Sequence, residues 1–281
     1  MKIVKTKHDL QQAIELLKKD RLNAKVGFVP TMGALHQGHA SLVKKAKEHA
    51  DIVVVSIFVN PTQFNNADDL KRYPRTFEAD VQLLENEQAD LLFYPEVEAV
   101  YEKEITEIKV DLKGLDLVME GEFRPGHFKG VVQVVHRLFD LVQPDIAFFG
   151  QKDFQQLSII RQMTNDLGLK IEIFPVPIYR SEQGLALSSR NALLSEEERA
   201  EALIIHETLS YGVELAKKET NAEFVKKSMI AYFSNGTLSL EYLAIVDNTT
   251  LQEVKEISEN STACIAAFCG KVRLIDNQQF E

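Results

Sequence analysis

Ile52-Val53-Val54-Val55-Ser56-Ile57-Phe58-Val59 is an almost unbroken run of β-branched and aromatic residues, and it narrows the fold more than any other stretch of the chain. A strand with one solvated face alternates apolar and polar side chains. A strand that is apolar at nearly every position reads as buried on both faces, which is what a parallel sheet covered by helices requires.

The flanking segments agree with that frame. Thr6-x-x-Asp9 resembles a capping box, and Leu10, Ala13, Ile14 and Leu17 follow at helical spacing to about Asp20. Val26 to Val29 reads as a core strand, and Leu42, Val43 and Ala46 mark a helix from about His39 to His49. A helix from Thr76 to Glu87, with Val81 and Leu84 inward, precedes a short strand, Leu91 to Tyr94. Ile105 to Val110 reads as a strand and Leu115 to Met119 as a helical turn. Val131, Val134, Val135, Leu138 and Val142 line one face of a helix stopped by Pro144. Ile146 to Phe149 is a further buried strand, followed by a helix carrying Leu157, Ile160, Met163 and Leu167 and closed by Gly168, then a strand from Lys170 to Val176.

This alternation predicts an α/β chain: a Rossmann-like parallel sheet in an N-terminal domain, residues 1–176, and a smaller α+β C-terminal domain, residues 177–281. In the second part Ser195-x-x-Glu198 opens a long helix and Asn221 caps another through Phe233. Leu240 to Val246 and Ala263 to Ile275 read as strands, the latter folded back at Gly270-Lys271. Cys264 and Cys269, five residues apart in that run, should face opposite sides as buried free thiols.

A formal net charge of −10 argues against a nucleic-acid surface, although a few local cations can still serve a small anion. The N-terminal Met1 to Asp9 has no apolar stretch long enough for a signal peptide and nothing later approaches a membrane span, so a cytoplasmic location is expected.

Polar residues gather where the apolar strands end. Pro30-Thr31-Met32-Gly33-Ala34-Leu35-His36-Gln37-Gly38-His39 links a strand to a helix start, a place suited to phosphate. Its glycines permit close backbone approach to a ligand. At i and i+3 the two imidazoles share one side of a turn, and as imidazolium ions they would donate both hydrogen bonds and charge. The pair could instead bind a metal, though no carboxylate stands between them, or be two surface histidines. Asn60 and Gln63 follow the second strand, Lys152 and Asp153 a later one, and Leu187-Ser188-Ser189-Arg190 opens the second part. Together they describe a cleft with phosphate donors on both walls.

Pro-Thr-Met-Gly-Ala-Leu-His-x-Gly-His at 30–39, Phe-Val-Asn-Pro-x-Gln-Phe at 58–64 and Tyr-Pro-Arg-Thr at 73–76 resemble the pantoate–β-alanine ligase family. His-Phe-x-Gly-Val at 127–131, Phe-Phe-Gly-x-Lys-Asp at 148–153 and Ser-Ser-Arg-Asn at 188–191 continue the resemblance nearly end to end. The resemblance implies ATP-dependent condensation of pantoate with β-alanine through a pantoyl adenylate, with Mg2+ on the phosphates and a homodimer. It implies ATP along Met32, Gly33, Ala34, Leu35, His36, Gln37, Gly38 and His39, with His39 the proton donor and His36 beside it. It adds Gly150, Gln151, Lys152, Asp153, Tyr179, Leu187, Ser188, Ser189 and Arg190 to the nucleotide site, which the second domain would close over. His39, His36, Lys152, Ser188, Ser189 and Arg190 would be the catalytic set. Gln63, Gln156, Asn60 and His127 would hold pantoate, and Gln63 also β-alanine. His127 could equally be a loop residue satisfied by backbone.

Leu187 stands where the family most often has methionine and Gln151 where it most often has glutamate. A related nucleotidyl transferase for a phosphorylated alcohol is disfavoured by the shortage of cations around Asn60 and Gln63. An ATP sensor leaves the histidines without a reason, and a zinc hydrolase would need bound zinc.

Overall fold

The apolar run at Ile52 forms an inner strand. In the computed structural model, which describes residues 1–281 apart from 20, 22, 65–69, 72, 102–106 and 281, every residue of this strand, Ile52–Ile57, is buried. Numbered in chain order, β1 (Lys2–Val4), β2 (Val26–Thr31), β3 (Ile52–Ile57), β4 (Leu91–Phe93), β5 (Ile146–Gly150) and β6 (Glu172–Val176) make one sheet in the order β1-β4-β3-β2-β5-β6. All neighbouring pairs run parallel.

Between the strands lie α1 (Lys7–Lys18), α2 (Gln37–His49), α3 (Phe77–Asn86), α4 (Val97–Val100), α5 (Glu120–Phe123), α6 (His127–Val142) and α7 (Phe154–Asp166). Alternate residues of β3 serve opposite layers. Ile52 and Val54 join the cluster formed with α1, α6 and α7, whereas Val53 and Val55 join Leu42, Val43 and Leu84 of α2 and α3. Each such valine or isoleucine, removed from water, is worth about 1.5–3 kcal/mol.

The remaining elements are α8 (Glu196–Glu201), α9 (Leu203–Ala216), α10 (Ala222–Phe233) and the strands β7 (Ser239–Asp247), β8 (Ser261–Cys269) and β9 (Val272–Gln279), which form an antiparallel sheet in the order β7-β8-β9. The fold-back falls at Gly270-Lys271, as the sequence predicts. On β8, Ala263, Ile265, Ala267 and Cys269 pack towards the helices of this part, while Cys264 joins the apolar cluster of the parallel sheet. Both thiols are free and buried.

Four local expectations change, and one strand appears that the sequence does not announce. β1 is a three-residue edge strand, too short for alternation to announce it. Residues 107–110 are irregular rather than a strand, and 105 and 106 lie outside the described residues, as does the expected helix end at Asp20. Leu115 to Met119 forms turns, and the helix begins only at Glu120. The long helix opened by Ser195 is two helices, because a tightened turn at the fully buried Ala202 divides them. The helix expected from about His39 starts two residues earlier, at Gln37. Among the described residues no helix is long and apolar enough to cross a membrane.

Candidate active site

β2 and β5 are neighbours at the centre of the sheet, yet the chain leaves them towards opposite edges. Such a switch point opens a crevice at the carboxyl ends of the strands, the usual ligand position in open α/β sheets. β2 delivers the histidine loop there, β3 the turn Pro61–Gln63, and β5 the turn Gln151–Asp153.

His36 caps α2 and His39 occupies its third position. The His36 Nδ1 accepts the Gly38 N–H at 3.1 Å, and the His39 Nδ1 accepts the His36 N–H at 3.3 Å. The i, i+3 spacing is thus a capping box made of two imidazoles. The rings lie 4.2 Å apart. A Cβ on Gly38 would stand 2.8 Å from the His36 ring, so the ring itself explains this glycine. With each Nδ1 accepting, each proton sits on Nε2.

Burial, with Lys152 second, lowers the His36 pKa to about 4. Burial, followed by His36 and Lys152, holds His39 well below 6.5. The imidazolium expectation is therefore corrected: in the free site both rings are neutral Nε2–H donors, because burial and a neighbouring ammonium outweigh Asp153.

Two residues outside the expected set fix this loop. Asp80 of α3, 2% exposed, accepts the N–H groups of Ala34 and Leu35 at 2.9 and 2.8 Å and the Thr76 hydroxyl at 2.9 Å. It holds Ala34 in the left-handed region at φ 50°. Tyr73 is hydrogen-bonded to Ser189, whose Oγ donates to the Ala34 carbonyl at 3.0 Å. The tyrosine lies in a quoted motif, whereas Asp80 reads in the sequence as one more solvated helix carboxylate. From the other sheet, Asn277 of β9 donates to the carbonyls of Gln151 and Lys152, both at 3.0 Å.

The Gln63 side is built differently. Asn60, 1% exposed, donates to the Gln63 Oε1 at 3.3 Å and to the Gly130 carbonyl at 3.1 Å, and its Oδ1 accepts from Thr62 and the Tyr101 hydroxyl. Both ends of its amide are committed, so Asn60 orients Gln63 rather than facing a ligand. Its neighbour His127 donates from Nδ1 to the Gln63 carbonyl at 2.9 Å. His127 is thus satisfied by backbone at Nδ1, and it also stands on the wall of a small cavity beside Gln156.

A cavity of about 220 Å³ joins these walls. Met32, His36, Gly38, His39, Gln63, Gly150, Lys152, Asp153, Gln156, Tyr179, Leu187, Ser188, Ser189 and Arg190 line it, together with an apolar wall of Phe58, Val131, Val134, Val135 and Leu138. Lys152 and Arg190 also line a second space, of about 540 Å³, together with Arg124 and Arg273. Gly33, Gln37, Asn60 and Gln151 line neither space, Ala34 and Leu35 border a separate cavity, and His127 borders a small neighbouring one with Gln156.

A parallel α/β sheet with neutral imidazole donors, an ammonium and two serines at its switch point defines a nucleotide-using enzyme. Comparison with known proteins narrows the class. The profile of the Pantoate-beta-alanine ligase family matches residues 2–279, and the chain belongs to that family. It is 50% identical to the pantothenate synthetase of Bacteroides thetaiotaomicron, covering 100% of this chain and 99% of that one. The crystal structure of pantothenate synthetase from Thermus thermophilus superposes with a TM-score of 0.93 at 40% identity over 100% of both chains. That of the Francisella tularensis ligase, complexed with β-γ ATP and β-alanine, has a TM-score of 0.79 at 35% identity, covering 99% of this chain and 97% of that one.

Proposed function

We propose that the chain joins pantoate to β-alanine using ATP, in two half-reactions within the central cavity. The pantoate carboxylate attacks the α-phosphorus of ATP, giving pantoyl adenylate and pyrophosphate. The β-alanine amine then attacks the activated carbonyl, giving pantothenate and AMP.

The observation that carries this reading is the pairing of two carboxamides, Gln63 and Gln156, with an apolar valine wall in the same cavity as the histidine pair. Pantoate carries a gem-dimethyl carbon and hydroxyls beside its carboxylate, which suit such a wall and such amides. An ammonium held against the carboxylate would lower its nucleophilicity, whereas a neutral amide orients it and leaves its electrons available. With its Oε1 held by Asn60, Gln63 presents its NH2, whose partner in the free site is the weakly accepting Met32 sulfur.

In the first half-reaction negative charge gathers on the phosphate oxygens. The Nε2–H groups of His36 and His39, the Lys152 ammonium, the Ser188 and Ser189 hydroxyls and Arg190 are the hydrogen-bond donors we assign to it; being neutral, His39 serves as a hydrogen-bond donor rather than as the proton donor that the resemblance implies. Gly150, Asp153, Tyr179 and Leu187 complete the nucleotide site, and Gln63 also meets β-alanine. Backbone N–H groups of residues 33–36 shape the loop.

Mg2+ fits this arrangement. Among the described residues no three histidines, cysteines or carboxylates cluster as a metal cage, and Mg2+ commonly needs only one or two carboxylates, waters and substrate phosphates. Asp153 is the carboxylate on the cavity wall that would hold it, since both Asp80 oxygens already accept backbone N–H groups. Bound there, the ion would neutralise phosphate charge.

We extend the reading to a cytoplasmic homodimer in which residues 177–281 close over ATP held by residues 1–176, a closure supported by the Ser189 bond to Ala34. The deciding experiment is exchange of labelled pyrophosphate into ATP with Mg2+ and pantoate present and β-alanine absent. Exchange that requires pantoate is expected. A folded, ATP-binding protein that shows none would overturn the adenylate route.

A further inference from the structure

Behind His127 runs a chain of polar groups that the chemistry above leaves unused. Glu120, 6% exposed, accepts the Arg273 guanidinium through both oxygens at 2.7 Å, accepts the Tyr242 hydroxyl at 2.9 Å and lies 3.5 Å from Arg124. Its own N–H donates to the Gln155 side chain at 2.9 Å, and that amide is anchored on the carbonyls of Leu115 and Val118. Arg124 stands 3.2 Å from the His127 Nε2, and the His127 Nδ1 2.9 Å from the Gln63 carbonyl.

The direction of these bonds is fixed by chemistry. A guanidinium has no acceptor, so Arg124 donates, the Nε2 accepts, and the ring proton sits on Nδ1, where it donates to Gln63. Donation passes one way, from Arg124 through His127 to the backbone of the residue whose amide faces the cavity. Burial, with Arg124 second, lowers the His127 pKa to about 4, in keeping with a neutral ring.

The far end of the chain belongs to the antiparallel sheet. Arg273 is on β9 and Tyr242 on β7, and Arg273 is itself held by Glu241 at 2.9 Å. The near end is a three-residue 3-10 turn, Pro61–Gln63. A substrate-orienting amide works only if held within about 0.5 Å, and a turn that short supplies little rigidity of its own.

We propose that Arg124 is a positioning residue for the acid substrate: braced by Glu120, which Arg273 and Tyr242 hold from the antiparallel sheet, it fixes the His127 ring that anchors Gln63. This rests on the reading of Gln63 as the pantoate amide. It makes the geometry of acid binding depend on the seating of the C-terminal sheet, through residues that need never touch pantoate.

The test uses the full-length chain in pantoate-dependent pyrophosphate exchange. Arg124→Met is expected to raise the KM for pantoate about tenfold while the KM for ATP stays within about twofold, the pattern of lost substrate orientation. Tyr242→Phe, which removes one bond to Glu120 and no charge, is expected to raise the pantoate KM about two- to fivefold and serves if Arg124→Met fails to fold. An unchanged pantoate KM in a folded variant, or an equal rise for ATP, would overturn the proposal. If the wild-type chain itself shows no exchange, the acid assignment fails instead, so the two failures are distinguishable.

Discussion

The His39 Nδ1 accepts the backbone N–H of His36 at 3.3 Å, while the ring centroids of the two residues lie 4.2 Å apart. One pair of side chains thereby both starts α2 and aims two Nε2–H donors at the cavity. Helix capping and phosphate binding draw on the same N-terminal groups, so the donors are in place before substrate arrives.

Replacing His39 with alanine is expected to slow pantoate-dependent exchange by about 10²–10³-fold, the cost of losing one preorganised donor to developing charge. Circular dichroism should show the variant folded. A rate within about twofold of wild type would remove His39 from the reaction.

The buried imidazoles make stability depend on pH. His36 and His127 titrate near 6.5 when unfolded and at about 4 when folded, and His39 also lies well below 6.5. Between those values the unfolded chain binds more protons, so their contribution is whole above about 6.5 and is lost as pH falls towards 4. Melting temperatures from pH 7.5 down to 4.5 should fall more steeply for wild type than for His36→Gln/His127→Gln. Parallel curves would contradict this.

Asp80→Asn keeps the shape but turns an NH2 towards one of the two backbone N–H groups, of Ala34 and Leu35, that the carboxylate oxygens accept. A stability loss of about 1–3 kcal/mol is expected, together with a raised KM for ATP. Urea unfolding and exchange kinetics would check the two effects separately.

At Gly130 an added Cβ would meet the Thr62 carbonyl oxygen at 2.5 Å and the Gln63 Cα at 2.8 Å. Gly130→Ala is therefore expected to cost about 1–3 kcal/mol by overpacking and to raise the KM for pantoate more than that for ATP. Equal effects on both would mean that the contact matters to folding alone.

The sheet and the cleft were legible because their signals are local. β-branched runs mark the inner strands, and loops with mixed polar groups mark their carboxyl ends. Tertiary properties were not legible. The charge of His36 depends on its burial and on Lys152, more than a hundred positions away in the chain. Asp80 looks solvated until α3 is docked under the loop, and Asn60 looks like a ligand donor until Tyr101 and Gly130 claim its amide. The edge strand β1 is too short to show a period.

The two cysteines of β8 face different layers, Cys264 towards the parallel-sheet core and Cys269 towards the helices of the C-terminal part. Each thiol is therefore a chemical clock for a different opening event. An alkylating reagent that modifies Cys264 first would time the lifting of the small sheet from its neighbour, and one that modifies both together would time global unfolding. The native sequence thus carries its own two-site reporter for the order in which its layers come apart.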